Sequence, residues 1–158
     1  MSLKLTSGAF NNADKIPDKY SKRGGDISPA LEWSGTPAQA KSLALIVDDP
    51  DAPSGTFVHW LLYAIAPSVR ALKEGVPHTT DLPGGMRQGR NGFGEIGYGG
   101  PQPPSGEHRY FFHLYALDIE IGLPPGVGRV ELDRAMHAHI LEQTELMGRF
   151  EHRTSRAA

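Results

Sequence analysis

The chain contains no cysteine. No disulfide can staple it, and no thiolate can act as nucleophile or metal ligand. That suits a reducing compartment, and a cytoplasmic location is the expectation. Long hydrophobic runs are missing too. The longest strongly apolar stretch, residues 57–66, contains His59 and falls far short of the ~20 residues a membrane-spanning helix needs. The first eight residues hold no extended apolar segment, so no secretory leader is expected. Charge of one sign is not concentrated anywhere: 16 Lys+Arg and 18 Asp+Glu give a formal net charge of -2 and are spread along the chain. Without a basic stripe to neutralise phosphates, a nucleic-acid partner is not expected.

What is present fits one folded domain. A length of 158 residues with 39% hydrophobic content supports a single core, so one domain is expected over residues 1–158. The 19 Gly and 13 Pro favour many turns over long helices. Residues 42–47 form a short apolar run bounded by turn residues, which predicts a buried strand. Residues 57–64 predict a second strand, with His59, Leu61 and Tyr63 on one face and Val58, Trp60 and Leu62 on the other. Residues 109–118 predict a third, with Arg109, Phe111, His113, Tyr115 and Leu117 opposite Tyr110, Phe112, Leu114 and Ala116. Between them, residues 83–106 hold nine of the 19 glycines and four prolines and read as a long ordered loop. Met136, Ile140, Thr144 and Met147 share a helical face, which predicts a helix over residues 132–147 with Gly148 at its C′ position. The whole predicts a mainly β protein, a β-sandwich with a few peripheral helices including one near the C-terminus.

Four features carry chemistry. Asp49-Pro50-Asp51-Ala52-Pro53 follows a strand, and its two prolines fix φ and stiffen the residues before them. The corner therefore presents two carboxylates with little freedom, although Asp and Pro are also ordinary turn residues. His59 lies inside a strand and needs a partner or a cavity. A backbone carbonyl would serve. So would a carboxylate from the Asp-Pro corner, which would fix the tautomer and raise the pKa. Gly106-Glu107-His108-Arg109-Tyr110 marks the junction of loop and strand, where side chains reach a sheet rim. Gly97-Tyr98-Gly99-Gly100-Pro101 could bring backbone N–H groups to an anion, or could simply be a packing turn. Two other features are set aside. His137 and His139 are two apart and do not form a metal pair on a helix, and Ser54 lacks a Gly-x-Ser-x-Gly elbow.

Taken together, Asp49-Pro50-Asp51-Ala52-Pro53, His59, Gly100-Pro101 and the Gly106 to Tyr110 run resemble the phosphatidylethanolamine-binding family. The closer likeness is to its bacterial and archaeal branch, often called Raf kinase inhibitor-like. Ser28-Pro29-Ala30-Leu31-Glu32-Trp33, Gln88-Gly89-Arg90-Asn91, His108-Arg109-Tyr110-Phe111-Phe112 and the stretch from His139 to Gly148 fit that branch in order. The resemblance implies a central β-sandwich with a small edge cavity for phosphate or headgroup-like anions. It implies that Asp49, Pro53, His59, Gly100, Pro101, His108 and Tyr110 line the cavity, with Asp51 bracing the corner. It also implies a homodimer. Two departures stand out: a short Pro104-Ser105-Gly106-Glu107 link that puts an acid beside the cavity, and Ala138 where relatives often have glycine. The second is expected to matter little.

The reading favours a non-catalytic module that binds a small anion or phosphorylated ligand, with regulation or inhibition of a kinase or other enzyme as its expected use, and with no cofactor and no metal. A small hydrolase using the His/Asp set, metal-assisted or not, is the enzyme alternative. A protease inhibitor acting through a surface loop is the third. In the binding module, cationic His59 and His108 would make anion binding strengthen as pH falls through the histidine range.

Overall fold

The computed structural model describes residues 2–152. Eight strands form two antiparallel sheets. The smaller is ordered β1-β2-β5, from β1 (Lys4–Thr6), β2 (Leu31–Ser34) and β5 (Ala71–Leu72). The larger is ordered β6-β4-β3-β7-β8, from β3 (Ser42–Asp49), β4 (Phe57–Ile65), β6 (Arg87–Gln88), β7 (Glu107–Leu117) and β8 (Ile140–Glu151). One α-helix, α1 (Arg129–Met136), completes the described elements apart from two short 3-10 turns. The mainly β architecture follows the sequence reading.

The central strand β3 is buried at all eight positions because both faces are covered. Leu43, Leu45 and Val47 face the small sheet and pack with Leu5, Leu31, Trp33, Trp60, Leu62, Phe112 and Leu114. Ala44 and Ile46 face the other way and join Leu61, Tyr63, Tyr115, Leu117 and the α1 residues Leu132 and Met136. Alternation along the strand divides the two cores. The predicted split of β7 holds: Tyr110, Phe112, Leu114 and Ala116 enter the inter-sheet core, while Tyr115 and Leu117 join the core under α1.

The helix near the C-terminus is present but shorter than its predicted span. It ends at Met136, and residues 140–151 form β8 instead. The helical spacing of Ile140, Thr144 and Met147 competes with a period of two, in which Leu146, Gly148 and Phe150 are buried. β8 covers the length of β7 from Glu107 to Leu117, so pairing and burial override the helical period. Gly148 is accordingly not a helix terminus. It sits opposite Tyr110 in the ladder, where a Cβ would fall 2.4 Å from Ile16 Cγ1.

The helix stops where it does partly because Ala138 adopts φ 67°, in the left-handed region. The exchange of glycine for alanine at this position, expected to matter little, therefore places a Cβ in a disfavoured conformation. Ala138→Gly relieves about 1–2 kcal/mol of that conformational cost and returns about 0.4–1 kcal/mol through a freer unfolded chain. The expected result is a net gain of about 0.5–1 kcal/mol in urea unfolding, and a loss of stability would contradict the strain assigned to Ala138.

Candidate functional site

The site is made by an irregularity in β4. Val47 pairs with Trp60, but Asp48 pairs with Val58, so β4 carries one extra residue, His59. Such a bulge rotates the side chains that precede it to the opposite face. Val58 consequently packs with the core under α1, and His59 turns to the inter-sheet side, 5.1 Å from the Tyr110 ring. Simple alternation puts His59 beside Leu61 and Tyr63. The bulge places it opposite them.

His59 is clamped to the glycine-rich loop by two bonds. Its Nδ1–H donates to the Gly99 carbonyl at 2.6 Å, and its own carbonyl accepts from Gly99 N–H at 2.8 Å. Of the two partners the sequence allowed, the backbone carbonyl is the one found. Because Nδ1 holds the proton, Nε2 is the nitrogen left for a ligand. Burial lowers the His59 pKa, outweighing the Gly99 bond and the charges of Asp49 and Asp48. The expected rise through a carboxylate partner, and with it a cationic His59, is therefore overturned.

The carboxylate goes to the other histidine. Asp49 Oδ2 accepts from His108 Nδ1 at 2.6 Å, and both side chains are nearly fully buried. Asp49 Oδ1 accepts the Asp51 N–H at 2.8 Å, an Asx turn that locks the corner. Asp51 itself points outward. Its carboxylate takes the backbone N–H, Nε and Nη2 of Arg109 at 2.9, 2.9 and 2.8 Å. Chiefly through these Arg109 bonds its pKa falls to about 2. Asp51 thus ties the corner to the start of β7 and brings Asp49 against His108.

Asp49, Pro53, His59, His108 and Tyr110 meet around one cavity of about 150 Å³. Asp51, Gly100 and Pro101 lie outside it. Gly100 N–H donates to Asp26 Oδ1 at 2.8 Å, and the Pro101 carbonyl accepts from Lys22 N–H at 3.0 Å. The glycine run does not present its N–H groups to the cavity: those of Gly97, Gly99 and Gly100 are taken by Gly89 O, His59 O and Asp26. Its small residues permit close packing, since a Cβ on Gly99 would lie 2.5 Å from the Phe93 ring.

Sequence reasoning missed five lining residues, Ala52, Phe57, Phe93, Gln102 and Pro104. Phe57 and Phe93 contact each other edge-on at 4.8 Å and flank His59 at 4.9 and 5.7 Å, which makes one wall apolar. Phe93 is placed by Asn91, whose Oδ1 accepts the Phe93 and Glu95 N–H groups while Nδ2 donates to Gly97 O. The Asn91-Gly92 pair was the available signal, since Asn favours such local turns.

One buried polar atom has no partner. Tyr110 Oη is the single buried side-chain nitrogen or oxygen among the described residues without a hydrogen bond, and it belongs to a residue lining this cavity. Burial holds its pKa far above the usual tyrosine value, reinforced by the Asp49 charge and by the approach of the Asp49 carboxylate as an acceptor, so the phenol keeps its proton and is a donor beside Asp49 and the Gln102 backbone with no well-formed bond to either.

A second charged cluster, also missed, supports the site from behind. Asp48 points to the opposite face of β3, bonding His113 Nε2 at 3.0 Å and Arg129 Nη1 at 2.8 Å. Burial pushes its carboxyl up, but His113 and Arg129 outweigh that and hold it below the usual range. Of the two set-aside histidines, His137 caps α1 and His139 Nδ1–H donates to Asp118 Oδ1 at 2.8 Å. Among the described residues no three His, Asp or Glu side chains are grouped to hold a metal ion. No helix among them is long and apolar enough to cross a membrane.

Residues 6–151 match the phosphatidylethanolamine-binding protein family, and the chain belongs to that family. A UPF0098 protein of Methanothermobacter thermautotrophicus is 49% identical over 146 residues, 92% of this chain and 97% of the relative. Another from Aquifex aeolicus is 45% identical over 149 residues, covering 92% and 86%. Among solved structures, a putative phosphatidylethanolamine-binding protein homologue from Chlamydia trachomatis superposes with a TM-score of 0.87 at 44% identity, covering 95% of this chain and 97% of that one. E. coli YbcL, a member of the mammalian family, gives 0.90 at 30% identity, covering 97% and 100%.

The His59 assignment has a consequence for stability. With the folded pKa below the unfolded one, the unfolded chain binds the proton more readily. Stability is complete above the unfolded value and declines as pH falls from about 6.5 toward the folded pKa. His59→Asn keeps a donor for Gly99 O but does not titrate. Melting of the wild type should therefore drop more between pH 7 and pH 5 than melting of the variant, and parallel profiles would show that His59 is not held neutral by the fold.

Proposed function

We propose that the chain is a non-catalytic receptor for a small protonated oxyanion, of the phosphate or phosphomonoester type, held in the cavity of Asp49, His59, His108 and Tyr110. The observation that carries the reading is the unpartnered Tyr110 hydroxyl. A buried donor without a well-formed hydrogen bond costs up to about 1–3 kcal/mol, and an oxyanion relieves that cost. A volume of about 150 Å³ suits a phosphate-sized group and little more.

The remaining lining groups choose the charge state of the ligand. Tyr110 donates. Neutral His59, with Nδ1–H committed to Gly99, offers Nε2 as an acceptor. His108 also has Nδ1 committed, to Asp49, and its Nε2 accepts when neutral and donates when charged. Both Asp49 oxygens are already bonded, which lets a carboxylate stand beside an anion. A site with an acceptor at its centre fits an oxyanion that brings its own proton, since a P–OH can donate to His59 while another oxygen accepts from Tyr110. The pH dependence then belongs mainly to the second ionisation of the ligand, near pH 6 for a phosphomonoester, and not to a cationic His59.

A receptor is favoured over a hydrolase because the lining's Asp49 has both oxygens bonded and its Tyr110 stays protonated, so neither is an activated nucleophile. Regulation of a kinase or other enzyme, and a homodimer, remain part of the proposal as possible uses of such a receptor.

Calorimetry with inorganic phosphate and sulfate tests the reading. Phosphate should bind more tightly as pH falls from 8 to 6. Sulfate, which brings no proton, should bind about tenfold or more weaker, the scale of one unsatisfied buried group. Tyr110→Phe should weaken phosphate about tenfold while leaving the melting temperature of the free protein unchanged or raised, because the unpaired hydroxyl is gone. Equal affinity for both anions, or a Tyr110→Phe protein that melts lower and binds phosphate normally, would refute it. Turnover of nitrophenyl phosphate lost on replacing His59 or His108 would put the hydrolase first.

A further inference from the structure

The anion cavity has a neighbour. A groove of about 310 Å³ lies on the other side of Gln102 and Pro104, which line both spaces. Gln102 and Pro104 are exposed, whereas Pro101 and Pro103 between and before them are buried. The two spaces are therefore adjacent, and the residues that divide them reach the surface. Together the two spaces reach the size that accommodates a ligand of several ring or chain atoms.

The groove is lined differently from the cavity. Pro103, Pro104 and Phe150 give it flat apolar surface, and His152 and Arg23 give it a polar end. Phe150 stands opposite His108 in the β7–β8 ladder, so the two spaces lie on neighbouring strands of one sheet face. His152 is fixed by its Nδ1–H, which donates to Pro103 O at 2.9 Å. Arg23 is different: among the described residues no hydrogen bond or ion pair engages its guanidinium. Other cations nearby are committed, Lys22 to Asp26 and Glu95, Arg109 to Asp51 and Arg149 to Glu107. An uncommitted guanidinium at the far end of an apolar groove favours an acidic group by charge and by its planar, forked donors.

We infer that the natural ligand is a phosphomonoester on a ring-sized apolar body that carries a second acidic group, with the phosphate in the small cavity, the body against Pro103, Pro104 and Phe150, and the acid at Arg23. This rests on the anion reading above and adds the ligand class to it. Flat rings stack on proline and aromatic faces without a specific hydrogen-bond pattern, so the groove selects shape and the two ends select charge.

Three probes separate the levels: inorganic phosphate, phenyl phosphate and 4-carboxyphenyl phosphate, titrated into the full chain at one pH and one salt concentration. Phenyl phosphate should displace phosphate competitively and bind about tenfold or more tighter, the scale of burying one aromatic ring. The added carboxylate should contribute a further gain of about three- to tenfold. Arg23→Gln, an exposed change, should remove that last gain and leave phenyl phosphate binding unaltered. If phosphate binds but phenyl phosphate is no tighter, the groove is not a ligand subsite and only the anion reading stands. If the carboxylate gain survives Arg23→Gln, the assignment of the acid to Arg23 is wrong. If no probe binds, the anion reading fails and this inference falls with it.

Discussion

Two adjacent carboxylates at the end of β3 organise this molecule. The pleat sends Asp48 and Asp49 to opposite faces of a strand that is buried along its whole length. Each is therefore a charge beneath a covered surface, and each demands a partner. Asp49 finds His108 and the Asp51 amide. Asp48 finds His113 and Arg129. Arg129 opens α1, so the same strand end that builds the cavity also anchors the helix behind it. Removing either carboxylate would leave hydrogen-bonding partners unpaired on its face. The cavity and the helix are thus two consequences of one dipeptide in one strand.

The bulge at His59 is the complementary constraint. Without the extra residue, strand alternation would place this imidazole with Leu61 and Tyr63 beneath α1, away from Asp49 and Tyr110. With it, the ring enters the cavity and is fixed by two bonds to Gly99. The glycine-rich loop holds His59 in one tautomer, and its close packing under Phe93 and against Tyr20 leaves no room for side chains at Gly99 and Gly100.

Much of this was legible in the chain and some was not, for physical reasons. β3, β4 and β7 announce themselves by apolar runs between turn residues, and the Asp-Pro corner, His59, His108 and Tyr110 stand out because polar groups in such surroundings need partners. The partners themselves were not legible. Whether Asp49 meets His59 or His108 depends on strand register and a one-residue bulge, and neither leaves a periodic trace. β8 was misread as helix because Ile140, Thr144 and Met147 satisfy a helical period locally, while its long ladder with β7 exists only in the assembled sheet. Phe57 and Phe93 carry no signal of the cavity in the sequence, since an aromatic side chain looks alike whether it fills a core or walls a cavity. Asp48 and Arg129 are 81 positions apart, beyond what spacing can connect.

The distribution of unsatisfied polar groups separates structure from use. Ionised and hydrogen-bonding groups around the cavity are paired with unusual completeness: Asp49 through both oxygens, Asp51 through three donors from Arg109, His59 and His108 each through Nδ1. A fold able to satisfy so many groups could have closed over Tyr110 with an acceptor, or carried phenylalanine there. It does neither, and the one buried side-chain nitrogen or oxygen without a well-formed hydrogen bond among the described residues belongs to a residue of the cavity wall. Packing alone gives little reason to retain that hydroxyl, because the cost of burying it is incompletely recovered within the protein. A partner from outside recovers it. The surrounding pairs then have a second role beyond stability: with their own bonding complete, they stay in place and leave Tyr110 Oη, His59 Nε2 and His108 Nε2 as polar atoms of the cavity's lining residues that the hydrogen bonds of the fold do not use.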